Sequence, residues 1–188
     1  ERHARGPGFP PRTPQPGHHG QPERQLTVYT NALGHKTTYE YNALGHVVRE
    51  TDIDVVMLAG RYTLLEQTAA AEFLPLCVER GVRILAAGVF NSGLLARNSI
   101  PDNAKYNYVD APAAVVQRAQ RIAEVCSRYD VTLPQAAVQF VLRHPAVASV
   151  VLGVKSADQV RRNASLFSGT VPEQLWTDLR AEGLLDAS

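Results

Sequence analysis

Three short apolar runs, Asp54–Ala59, Val82–Ala87 and Ala148–Leu152, alternate with stretches of helical periodicity, and this alternation restricts the fold more than any other feature of the chain. The first is a continuous apolar run of the kind that forms a strand buried on both faces. Between the first two runs, a helix over about 68–80 sets Ala70, Phe73, Leu74, Cys77 and Val78 on its inner side, and Gly81 ends it. Strand, helix and strand joined by short links make a right-handed parallel unit. A polar connection over 96–111 follows, of the size that functional loops often have. Pro112 to Tyr129 carries an amphipathic stripe of Val115, Val116, Ala119, Ile122, Ala123 and Cys126. Pro134 starts another helix, stopped by His144-Pro145, with His144 expected to cap its end. A last helix from Pro172 to about Glu182 presents Leu175, Trp176 and Leu179 for docking. The expectation is a parallel α/β fold whose ligands gather at the carboxyl ends of the strands. Three loops are expected to converge there: Arg61-Tyr62, Gly88–Leu95 and Gly153–Asn163.

The third strand runs directly into Gly153-Val-Lys-Ser-Ala-Asp-Gln-Val-Arg-Arg-Asn163. Free N–H groups at a helix start, the positive end of its dipole, and Lys155 with Arg161 or Arg162 favour a phosphate at that point. Gln159 and Asn163 lie one helical turn apart on one side, with amides able to hydrogen-bond a purine base. The pair Ser156 and Gln159 also forms an S-x-x-Q capping box, which would close any surface helix. Spacing alone allows either reading.

The chain before residue 52 has a different character. Residues 1–25 hold six of the twelve prolines and three histidines with almost no apolar content, the composition of a disordered tail. Residues 26–50 contain Asn-Ala-Leu-Gly-His twice, at 31–35 and 42–46, each copy followed by a strand-favouring stretch. The segment Tyr39–Arg49 resembles the YD repeat of the Rhs family, whose many copies build β-shells around cargo. Two copies cannot bury a core of their own. The expected division is therefore a tail at 1–25, YD-like β repeats at 26–50 and a third domain at 52–188. Cys77 and Cys126 lack a CxxC partner and read as buried thiols, so no metal site is expected. A net charge of +1 gives no broad field for nucleic acid or an anionic membrane. No apolar run approaches the ~20 residues that span a bilayer, and no signal-peptide pattern is seen. The working expectation is a cytoplasmic protein, and the start at Glu1 suggests a piece of something longer.

From Asp52 to Leu185 five segments occur in the order seen in aldo/keto reductases. They are Gly-Arg-Tyr-Thr-Leu-Leu65, Gly-Val-Phe-Asn-Ser-Gly-Leu-Leu95, Ala-Ala-Val-Gln-Phe140, His-Pro-Ala-Val147 and Gly-Val-Lys-Ser-x-x-Gln-Val-x-x-Asn163. The chain most resembles the branch that oxidises fucose or other aldoses at the anomeric carbon. The resemblance implies the C-terminal part of a (β/α)8 TIM barrel that binds NADP or NAD without a Rossmann motif, and no GxGxxG occurs here. It places Gly88, Val89, Phe90, Asn91 and Gly93 around the pyrophosphate and nicotinamide. Gly153, Val154, Lys155, Ser156, Gln159 and Asn163 fall at the adenosine: Lys155 and Ser156 near the ribose or its 2′-phosphate, Gln159 and Asn163 near the adenine. Ala59 stands where many relatives have a glutamine that holds the nicotinamide amide. The Asp, Tyr, Lys and His that transfer hydride in the family belong to the first half of the barrel, which the resemblance does not cover, so no catalytic residue is assigned. A sugar or aldehyde substrate would be used only if that half were supplied. Three barrel strands leave two unpaired edges, which invites self-association. The competing expectations are a delivery protein of the Rhs type and a fusion of two coding regions with no function.

Overall fold

The computed structural model describes residues 25–30, 36–41, 47–49, 53–101, 103–107 and 109–186. Contacts divide the chain into two units, Glu1–Thr51 and Asp52–Ser188. In the first, β1 (Gln25–Thr30), β2 (Lys36–Tyr41) and β3 (Val47–Arg49) form an antiparallel sheet in that order. Leu26 pairs with Glu40 and Tyr29 with Thr37, and the β2–β3 register shifts at Glu40/Tyr41. The strand-favouring Thr37, Thr38, Tyr39 and Tyr41 thus lie in β2. Both Asn-Ala-Leu-Gly-His copies and the tail at 1–24 lie outside the described residues.

The second unit is built on β4 (Val55–Ala59), β5 (Arg83–Ala87) and β8 (Val147–Val151), a parallel sheet of order β4-β5-β8. Leu58 pairs with Ala86 and Ala86 with Val150, a row that faces the helices. Leu58, Ile84, Ala86 and Val147 are buried in the core, which Leu64, Leu74, Ile122, Leu133, Val141, Leu175 and Trp176 complete. The opposite face is open. Val55 is 50% and Met57 59% exposed, so the expectation that the first run is buried on both faces is corrected. A parallel sheet needs cover on both sides, and the described residues supply helices to one only.

A 3-10 turn (Thr68–Ala70) and α1 (Phe73–Glu79) replace the single helix expected over 68–80. Pro75 explains the break, because its ring clashes with the carbonyl four residues back and so forbids a helix running through Ala71. Cys77 is buried, whereas Val78 faces outward. The connection after β5 is not featureless: β6 (Lys105–Tyr106) and β7 (Val109–Asp110) form a hairpin within it. The helices α2 (Ala113–Ser127) and α3 (Leu133–Leu142) follow, then α4 (Ala157–Ser165) and α5 (Glu173–Ala181) after β8. Thr132 caps α3 by accepting from Gln135 N at 3.3 Å.

His144 does not cap α3 as a cation. Its Nδ1 accepts from Ala146 N at 3.2 Å, and burial holds its pKa below the ordinary value, so the neutral ring shapes the turn into β8. The C-terminal end is tied back by Gln67, whose Oε1 accepts from Asp186 N at 2.8 Å, and by Arg118, which donates to Leu184 O at 2.8 Å. No helix among the described residues is long and apolar enough to cross a membrane, and they hold no cluster of His, Cys, Asp or Glu suited to a metal.

Candidate functional site

Strand register decides what can meet at the carboxyl end of the sheet. Ala59 pairs with Ala87, and Ala87 with Val151, so the residues that follow leave the sheet at one level. Gly60 N donates to Ala87 O at 2.8 Å. A Cβ on Gly88 would lie 3.2 Å from Gly60 N, and Gly88 has φ +66, so glycine is required there twice over.

The 88–95 loop turns tightly on itself. Asn91 N donates to Gly88 O at 2.9 Å and Leu95 N to Phe90 O at 3.0 Å. Val89, Leu94 and Leu95 are buried and anchor the loop in the core, while Gly93 is exposed with open space about its Cα. Asn91, Ser92 and Gly93 take φ of 46°, 59° and 94°, three left-handed residues in succession. Asn91 is only 4% exposed, and neither its Oδ1 nor its Nδ2 has a partner among the described residues.

The 153–163 segment is the opposite in character: Gly153, Val154, Lys155 and Ser156 are exposed, Gln159 and Asn163 half-buried, and no residue of α4 is buried. Ser156 Oγ accepts from Gln159 N at 3.3 Å, and Gln159 Oε1 accepts from Lys155 N at 2.6 Å. Both halves of a capping box are thus present, with the glutamine reaching one residue further back than in the usual form. This arrangement occupies the Gln159 carboxamide oxygen in the free chain. Arg161 is held by Asp158 at 2.5 Å, which leaves the side chains of Lys155 and Arg162 as cations without an ion pair among the described residues.

The Arg61-Tyr62 loop leaves β4 beside the 88–95 loop, with Gly60 against Gly88, but the Tyr62 side chain turns into the core instead of joining the strand-end residues. Tyr62 is buried, its ring 5.1 Å from Phe140 and edge-on to His144 at 5.6 Å. Burial raises its phenol pKa, and Arg143 and Arg180 pull it partly back. It is a packing residue among the helices, and Phe140 in turn lies against Trp176, over which Arg143 sits at 5.2 Å while pairing with Glu173. The sequence also gave no warning of Tyr106. Its OH donates to Glu66 at 3.4 Å, fastening the β6–β7 hairpin to the loop after β4, and burial followed by the Glu66 charge raises its pKa. A groove of about 640 Å³ between Asn98, Ile100, Gln120 and Asp130 includes none of the strand-end residues.

The aldo/keto reductase family profile matches residues 37–181. The chain belongs to this family. It is 44% identical over 146 residues to pyridoxal 4-dehydrogenase of Microbacterium luteolum, a match covering 78% of this chain and 42% of that protein. Against D-threo-aldose 1-dehydrogenase of a Pseudomonas species the figures are 45% over 144 residues, 77% and 44%. The holo form of an aldo-keto reductase from Bacillus halodurans superposes with a TM-score of 0.57 at 26% identity, covering 73% of this chain and 44% of that one. The chain spans less than half the length of each of these relatives. With the family known, the three parallel strands and their helices are a portion of a (β/α)8 barrel whose sheet is open.

The residues present suit a nicotinamide dinucleotide. Two loops leave adjacent strands at one level. One offers exposed backbone at a helix start beside unpaired cations, and the other a buried carboxamide with both polar atoms unmatched.

Proposed function

We propose that this chain carries the dinucleotide-binding side of an NAD(P)-dependent aldo/keto reductase that oxidises an aldose or a related aldehyde. The observation that carries the proposal is the side-by-side departure of Gly88–Gly93 and Gly153–Asn163 from paired strands, in a chain 45% identical to a protein named for aldose oxidation. Gly88, Val89, Phe90, Asn91 and Gly93 flank the nicotinamide and pyrophosphate. Gly153, Val154, Lys155 and Ser156 meet the adenosine ribose, with the ammonium of Lys155 attracting a 2′-phosphate where one is present. Gln159 and Asn163 face the adenine; Gln159 must first release the Lys155 amide it holds.

When bound, the cofactor accepts or supplies hydride. The chain's own part is to fix the dinucleotide through its loop backbones, anchored by the buried Val89, and to keep water from the nicotinamide side with the half-buried Phe90. No residue of this chain is assigned the acid/base role, so turnover of a sugar or aldehyde requires groups from outside it. The division into residues 1–25, 26–50 and 52–188 remains part of the proposal. Residues 26–50 are the weaker part of the YD-repeat reading, because the family match beginning at residue 37 takes in β2 and β3. Melting of the purified chain tests the proposal. Millimolar NADPH, NADH or ADP-ribose should raise the transition, and no shift with any of them refutes it.

A further inference from the structure

Exposed apolar side chains collect at the two ends of the parallel sheet. Of the large hydrophobics exposed among the described residues, all but Val78 and Val109 lie there: Val55 and Met57 on β4 at one end, and Val151, Val154, Val160 and Phe167 from β8 through α4 at the other. Scattered singly they would need no explanation; gathered at both edges they mark contact surfaces.

The β8 end lacks a strand. In a parallel α/β unit the helix after a strand packs over that strand and its neighbour. The helix α4 follows β8, the last strand in the sheet order, and buries none of its residues. Its half-buried Gln159 and Asn163 share one side; Ala157, Val160, Ala164 and Phe167 form a second stripe, all exposed, with Val160 at 51% and Phe167 at 41%. What is missing beside β8 is a short parallel strand with a bare edge and an apolar side chain on its helix side.

Strand β4 has this character. Arg83 N donates to Asp54 O and Gly60 N to Ala87 O, so the even-numbered residues of β4 bond to β5, and the N–H and C=O groups of Val55, Met57 and Ala59 point to the outer edge. Val56 lies on the same side as the buried Leu58 and is only half-buried. Ala59, Ala87 and Val151 stand at one level, so a β4 edge laid against β8 continues the sheet flush. The barrel repeats one strand–helix unit around its axis, which lets the same strands serve at more than one position. Each copy matches 42% and 44% of the length of the two dehydrogenase relatives, so two copies approach the length of one.

We propose that copies of this chain join head to tail, the outer edge of β4 in one pairing in parallel with β8 of the next and taking the Val160–Phe167 stripe of its α4 as cover. The contact is heterologous: two different surfaces meet, each of which is otherwise an open edge. It does not depend on the dinucleotide reading above.

Native mass spectrometry and sedimentation of the full chain test the proposal. The wild type should form an assembly heavier than one chain that dissociates on dilution. Val160→Asp with Phe167→Asp spoils the α4 end, and Val55→Lys with Met57→Lys the β4 end; all four side chains are exposed, so both variants should keep the wild-type circular dichroism. Each variant alone should run as a single chain, and the two mixed in equal amounts should form a one-to-one pair, because each retains the end the other has lost. Amide exchange gives a readout without variants: on dilution it should quicken at Met57, which faces the outer edge, and stay slow at Leu58, which bonds to β5. A wild type that is a single chain at every concentration, a variant that keeps the wild-type mass, or a mixture that stays unpaired overturns the proposal.

Discussion

Replacing Asn91 by glycine should make the free chain more stable. The substitution removes an unmatched buried donor and acceptor, worth about 1–3 kcal/mol, and relieves φ of +46° at a residue carrying a Cβ. Against this stand about 0.5–1 kcal/mol for the greater freedom of glycine in the unfolded chain and the packing of the lost side chain, which is buried like those of Val89 and Leu94 in the same loop. The net expectation is a gain on the order of 1 kcal/mol, a rise of a few degrees in the melting transition of a unit this size. Urea unfolding followed by the fluorescence of the single buried Trp176 gives the value directly. A loss of more than about 1 kcal/mol would show that the carboxamide has a stabilising partner, and the reasoning from its open ends would fail.

Other expectations follow from the same geometry. Ile84→Ala empties a fully buried site in the central strand, and should cost about 2–5 kcal/mol in urea unfolding. Ser156→Ala removes the cap of α4, worth ~1 kcal/mol; because α4 buries no residue, hydrogen exchange should quicken at Ala157–Gln159 with little change in global stability. Gly88→Ala should be poorly tolerated, since the new Cβ meets Gly60 N at 3.2 Å under a positive φ. The pKa of His144 is lowered by burial from its ordinary 6.5. The unfolded state therefore takes its proton first: stability is full above pH 6.5, falls as pH drops towards the folded pKa, and levels off below it. His144→Asn should flatten that slope, and a proton NMR titration showing an unshifted ring would refute the cause.

Sequence periodicity marked α2, α3 and α5 closely, because each has a stripe of apolar residues that the core buries. It marked the three parallel strands too, but not how they are covered. An apolar run such as Val55–Ala59 looks the same whether both faces are packed or one is open, and only the pairing of β4 with β5 and the set of helices reveal the difference. Ser156 and Gln159 were readable as a cap because both partners lie within one turn. Asn91 could be placed at the site by resemblance, but its burial could not, since it depends on Val89 and Leu94 drawing the loop inward. Gln67 and Tyr106 escaped notice for a different reason: their partners, Asp186 and Glu66, lie 119 and 40 residues away, beyond any local pattern.

The central claim is that two loops on neighbouring strands hold one dinucleotide. Hydrogen exchange of the full chain with and without millimolar NADPH measures this most directly. The account predicts slower exchange at 88–93 and 153–160 together, with α5 and the 98–132 groove unchanged. Protection at neither loop, or at one without the other, would contradict it.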